Sequence, residues 1–179
     1  MTDAAQQQRL KQQRFMELLQ AHRGIVYKVA GSFSRSAADR DDLVQEICTQ
    51  LWRAFPRFDP GLTYSTWMYR VALNVAISAL RRVSKADAVR LEPLDEVHLE
   101  AVAAGETDAE EEARFSAMHA LIGRLAPLDR ALILLYLDDR SYADMAEVLG
   151  ISETNVATKI NRIKQRMRRQ VAADAIDGA

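Results

Sequence analysis

Two stretches of this 179-residue chain carry side chains whose types and spacing suit contact with nucleic acid or a large partner. The more informative is 141–169. Ser141 is placed to cap a short helix, Tyr142 to Leu149. Gly150 then supplies a residue that tolerates the left-handed backbone needed to stop it. Ser152 caps a second helix, with Asn155 at its third position, and Ala146 is small where two helices must cross. Val148, Leu149, Ile151, Val156, Ile160, Ile163 and Met167 form the packed side. A short helix, a glycine turn and a capped second helix make the pattern of a DNA-reading helix-turn-helix. The second helix leaves Glu153, Thr154, Asn155, Ala157, Thr158, Lys159, Asn161 and Arg162 largely outward. Asparagine bonds adenine edges bidentately, arginine and lysine read guanine or hold phosphate, and threonine serves either role. Lys164, Arg166, Arg168 and Arg169 add charge suited to phosphate. An ordinary helical hairpin with a solvated basic face has the same periodicity. Ala146, Gly150 and Val156, each at its expected offset, favour DNA reading.

The second stretch runs from Asp39 to Arg82. Asp39 to Asp42 place acids at a helix start, where they suit the helix dipole. Leu43, Val44, Ile47, Cys48, Leu51 and Trp52 make an apolar stripe, opposite Asp42, Gln45, Glu46, Gln50 and Arg53. Periodicity alone reads that polar side as a solvated face. Pro56 and Asp59-Pro60-Gly61 force a loop. A long helix follows from Tyr64 to Arg82, with Ser65 or Thr63 as its cap. No catalytic constellation stands out, so an enzyme is not expected. His22, His98 and His119 are scattered, and no metal spacing or glycine-rich phosphate loop is present. Cys48 sits on an apolar stripe, where a structural thiol is expected, and neither metal nor cofactor is implied.

The elements that must position these groups are all helices. Phe15, Leu18, Leu19, Ile25, Val26, Val29 and Phe33 fall at helical spacings, with Gly24 a candidate break. Phe115, Met118, Leu121, Ile122 and Leu125 share a face, and Pro127 opens another helix. The expected fold is therefore all-α: two small helical bundles, 1–83 and 113–179, joined by a flexible acidic linker, 84–112. Charge follows the same division. Residues 5–83 hold 12 Lys/Arg against 6 Asp/Glu, residues 84–112 hold 2 against 10, and residues 113–179 hold 10 against 8. The net charge of −1 thus conceals two basic ends around an acidic middle, which suggests electrostatic shielding in cis. Hydrophobic residues make up 49%, enough for a sizeable core. No apolar run approaches the about 20 residues that span a bilayer, so no membrane insertion is expected. The Gln-rich N-terminus does not read as a signal peptide, and a lone cysteine fits a reducing cytoplasm.

Taken together, the two stretches resemble the extracytoplasmic-function sigma factors of the sigma-70 family. Asp41-Asp42-Leu43-Val44-Gln45-Glu46, then Trp52-Arg53-Ala54-Phe55, then Tyr64 to Asn74, is similar to sigma regions 2.2 to 2.4. Ser141 to Ala146, with Gly150-Ile151-Ser152, is similar to region 4.2. The resemblance implies a factor that binds core RNA polymerase and directs initiation by recognising −10 and −35 promoter elements. It implies that Asp41, Asp42, Gln45 and Glu46 dock on the largest polymerase subunit. It implies that the loop 58–65, with Phe58, Trp67 and Asn74, holds a base flipped from the −10 element, and that Arg70, Arg81 and Arg82 meet phosphate. Core packing is an equal expectation for Trp67. Glu153 to Arg162 would read the −35 element. Ala157 stands where many members carry a basic residue, and Asn161 occupies another variable position, so the −35 sequence does not transfer. An anti-sigma factor or other inhibitory partner is implied, as often in the family. A stand-alone helix-turn-helix regulator is the alternative, but it leaves Asp41 to Asn74 without a role.

Overall fold

The computed structural model describes the backbone of residues 2–90, 118 and 120–177, and the side-chain surroundings of 5–83, 118 and 120–169. All regular structure among these residues is helical. The chain divides into two compact units, Met1–Ala88 and Val89–Ala179. Most of the expected linker, residues 91–112, lies outside the described residues, as do Phe115 and the expected helix start at Glu110 to Glu112.

The N-terminal unit holds α1 (Thr2–Ala21), α2 (Arg23–Phe33), α3 (Ala37–Ala54), a 3-10 turn (Phe55–Arg57) and α4 (Tyr64–Arg90). The break after α1 falls at His22, whose ψ of 15° leaves the helical range, and Gly24 lies inside α2. Ser36 starts α3 by accepting the Asp39 amide at 3.1 Å, so only Asp39 of the four-residue acidic stretch lies in the first turn. Thr63, not Ser65, caps α4: its Oγ1 accepts the Thr66 amide at 3.2 Å. The helix continues past Arg82 to Arg90, into the segment expected to be linker. Residues 83–90 contain neither glycine nor proline, so nothing local stops it. Ile25, Val26, Val29, Phe33, Leu43, Ile47, Leu51, Met68, Tyr69, Ala72 and Leu73 form the buried centre. Val44, Cys48 and Trp52, on the edge of the α3 stripe, are half-buried.

The C-terminal unit is built from α5 (Pro127–Leu137), α6 (Tyr142–Leu149) and α7 (Glu153–Asp177), preceded by a helical turn at 120–123. Pro127 opens α5 at a position where its missing N–H costs nothing. Leu132, Leu135, Met145, Val148, Val156, Ile160 and Ile163 pack the three helices together. Arg130 is also buried; its Nη2 donates to the Gly123 and Leu125 carbonyls, tying α5 to the preceding turn. These carbonyls lie at the end of a helical turn, where a cation is favoured. Periodicity gives no sign of this buried charge.

Candidate polymerase and nucleic-acid interfaces

In the C-terminal unit the turn is fixed at both ends by side chains. Ser141 Oγ accepts the Asp144 amide at 3.1 Å while the Asp144 carboxylate accepts from the Ser141 amide at 3.3 Å, a reciprocal capping box. Gly150 stops α6 with φ +66°, and its amide donates to Ala146 O. Ser152 Oγ then accepts the Asn155 amide at 3.2 Å and starts α7. Val156, Ile160 and Ile163 lock α7 inward. Glu153, Thr154, Asn155, Thr158, Asn161 and Arg162 are exposed on its outer surface. Ala157 and Lys159 are only half-exposed. Lys159 Nζ lies 3.6 Å from Asp129 Oδ1 on α5, so it sits at the flank of the outward surface. Further along, Lys164 donates to the Tyr136 hydroxyl at 2.6 Å and lies over that ring. It braces α7 against α5.

In the N-terminal unit, Asp41, Asp42 and Gln45 are exposed on α3. Glu46 is half-buried, because both its oxygens accept from Arg82 Nη2 at 2.9 Å. Residues expected on different partners, polymerase and DNA, therefore share one contact. The Arg82 side chain is 65% exposed, so the pair contributes only about 0.2–1 kcal/mol. On α4, Arg70, Asn74, Ser78 and Arg81 are exposed at intervals of four, four and three, one continuous face. Its arginine, asparagine and serine side chains are of the kinds that contact phosphate and sugar.

The loop before α4 rests on an aromatic cluster that spacing did not reveal. Asp59 Oδ1 accepts the Gly61 amide at 2.9 Å, and Phe58 is held by its own amide bonding Phe55 O. Phe58, half-buried, meets Trp67 edge-on at 5.3 Å and Tyr64 at 5.6 Å. Tyr64 also packs on Trp67 at 5.2 Å and on His22 at 5.4 Å. Phe55 and Phe15 continue the cluster to Trp52. Trp67 is 6% exposed and supports the loop from beneath; Phe58 is the aromatic of the expected pair that reaches the surface. Burial pushes the Cys48 thiol up, away from thiolate reactivity.

The Tyr64 hydroxyl is buried without a hydrogen-bond partner among the described residues, and burial raises its pKa to about 12. The folded state thus keeps the phenol protonated while the unfolded chain ionises near 10. Stability from this group is complete below pH about 10 and is lost as pH rises from there toward 12. Tyr64→Phe removes that loss and the unpartnered hydroxyl together. Urea unfolding at neutral pH is expected to show a gain of about 1 kcal/mol, with a flatter alkaline profile than wild type. A clear loss of stability at neutral pH would mean that the hydroxyl is satisfied.

Residues 18–86 match the family described as Sigma-70 region 2, and residues 115–167 match Sigma-70, region 4. Among curated relatives, the chain is 28% identical over 168 residues to the ECF RNA polymerase sigma factor SigE of Mycolicibacterium smegmatis, covering 91% of this chain and 63% of that one. It therefore spans less than two thirds of that relative's length. It is 27% identical over 180 residues to the RNA polymerase sigma factor CnrH of Cupriavidus metallidurans, covering 96% and 94% of the two chains. Two solved structures share the fold. One is CnrH in complex with the cytosolic domain of CnrY, with TM-score 0.63, 24% identity and coverage of 91% and 90%. The other is the sigma factor RpoE with the anti-sigma factor NepR from Bartonella quintana, with TM-score 0.69, 20% identity and coverage of 91% and 97%.

Proposed function

Because this chain belongs to the sigma-70 family, in its extracytoplasmic-function class, we propose that it docks on core RNA polymerase and directs initiation at promoters gripped at two points. The observation that carries this reading is the presence, in order on one chain, of region 2 with an exposed acid-amide face and region 4 with a capped DNA-reading helix. Asp41, Asp42 and Gln45 form the docking face, joined by Glu46 when it leaves Arg82. Arg70, Asn74 and Arg81 follow the −10 duplex, and Phe58 stacks on a base lifted from it. Trp67 stiffens the platform under Phe58. Thr154, Asn155, Thr158, Asn161 and Arg162 read the −35 element, with Glu153 and Ala157 at the edge of that surface. The two domains take in the matched regions 18–86 and 115–167, with the linker expected at 84–112, shortened at its start by the end of α4.

The factor supplies recognition, and the polymerase supplies the chemistry of RNA synthesis. It acts where the polymerase acts, in the cytoplasm. An anti-sigma partner is part of the proposal, supported by the two similar structures, which are complexes with CnrY and NepR. Run-off transcription with purified core polymerase tests the whole reading. Discrete transcripts from a subset of genomic promoter fragments are expected, dependent on added factor. Stable core binding with no transcript from any fragment would overturn it.

A further inference from the structure

We propose that Asp129 sets the strength and salt dependence of the −35 interface, acting on DNA only through the cations it withholds. The inference rests on the reading of α7 as the DNA-reading helix. Asp129 lies in the first turn of α5, where the helix dipole favours a carboxylate. Its side chain is 17% exposed, and it faces α7. Each of its oxygens takes a different cation of that helix. Oδ1 lies 3.6 Å from Lys159 Nζ, and Oδ2 lies 3.9 Å from Arg166 Nη1. Lys159 is itself 30% exposed, so this pair is screened less than an open surface pair. Arg162, between the two cations in sequence, is exposed and has no ion pair among the described residues.

A cation already neutralised by a protein carboxylate adds little when it approaches phosphate. It releases fewer counterions from DNA than a free lysine or arginine does. The helix therefore presents fewer effective charges than its sequence contains. Because that charge term is indifferent to sequence, withholding it lowers affinity for all DNA alike. Contacts from Thr154, Asn155, Thr158 and Asn161 to base edges are untouched. The ratio of specific to non-specific binding is left unchanged, while the affinity for both and its dependence on salt are lowered.

The test uses the full chain, titrated at several salt concentrations. The probes are a duplex carrying a promoter from which the holoenzyme initiates and an unrelated duplex of equal length. Asp129→Asn keeps the shape at the helix start. It is expected to tighten binding to both duplexes several-fold at low salt, by about the same factor for each. It should steepen the log K against log salt slope by about 0.9 for each cation released. Adding Lys159→Gln should take back the part of that gain due to Lys159 and leave the part due to Arg166. In the wild-type background Lys159→Gln should change the slope by less than half as much as Arg162→Gln does. This comparison stands even where Asp129→Asn fails to fold. Equal effects of Lys159→Gln and Arg162→Gln, or an unchanged slope in folded Asp129→Asn, would overturn the role of Asp129 alone. No effect of Arg162→Gln on either duplex would overturn the DNA-reading role of α7, and this inference with it.

Discussion

Asp42→Arg is expected to cut the affinity of the full chain for core polymerase by about 30- to 1000-fold, corresponding to about 2–4 kcal/mol at the centre of a protein interface. The residue is exposed on α3, over a helix whose other side is anchored by Leu43, Ile47 and Leu51. Its replacement therefore disturbs the surface without touching the core, and the unfolding midpoint should stay close to wild type. Glu46→Lys is expected to weaken docking as well, with a second consequence. It breaks the contact with Arg82 and sets two cations against each other. The loss in stability should stay near or below about 1 kcal/mol, because the pair is solvent-screened. Fluorescence titration of labelled protein with core polymerase checks both variants. Undiminished binding by Asp42→Arg would remove this face of α3 from the docking surface.

Trp67→Ala is expected to destabilise the N-terminal unit by about 3–5 kcal/mol, in the range of large aromatic deletions from a packed core. The indole is 6% exposed and touches Phe55, Phe58 and Tyr64, each within 6.4 Å between ring centres. Removing it opens a void under the loop and forfeits several aromatic contacts at once. Phe58→Ala should behave differently. That ring is half-buried at the surface, so the variant should remain folded while losing open-complex formation, read by permanganate reactivity of unpaired thymines. Near-wild-type stability of Trp67→Ala would show that the indole is a surface contact after all. Wild-type melting by Phe58→Ala would remove the stacking role proposed for the loop.

These two aromatics also show what a sequence makes legible here. The helix-turn-helix was readable because its determinants are local. Ser141 and Ser152 cap within three residues, and Gly150 needs its φ of +66° whatever surrounds it. Helical periodicity likewise identified Ile47, Leu51, Val156, Ile160 and Ile163 as inward residues, and all are buried. Contacts between elements were not readable. Glu46 and Arg82 are 36 residues apart, and Lys164 and Tyr136 are 28 apart, so no spacing rule links them. Asp129 resembled any acid in a first turn, although it faces two cations on another helix. The aromatic cluster joins Phe15, Trp52, Phe55, Phe58, Tyr64 and Trp67 across three helices and a loop, and only the folded chain brings those rings together. The end of α4 is not legible either, because the change in composition near residue 84 is a change in charge, which does not itself end a helix.

The exposed face of α4 has a measurable length. From Arg70 to Arg81 it spans eleven residues, which at 1.5 Å each makes a ruler about 16 Å long. Successive base pairs along duplex DNA are about 3.4 Å apart. One such helix therefore reaches along about five base pairs. On the proposed reading of this face, any longer stretch of promoter is measured out by other parts of the transcription machinery, and the spacing between the two elements is not a property of this face.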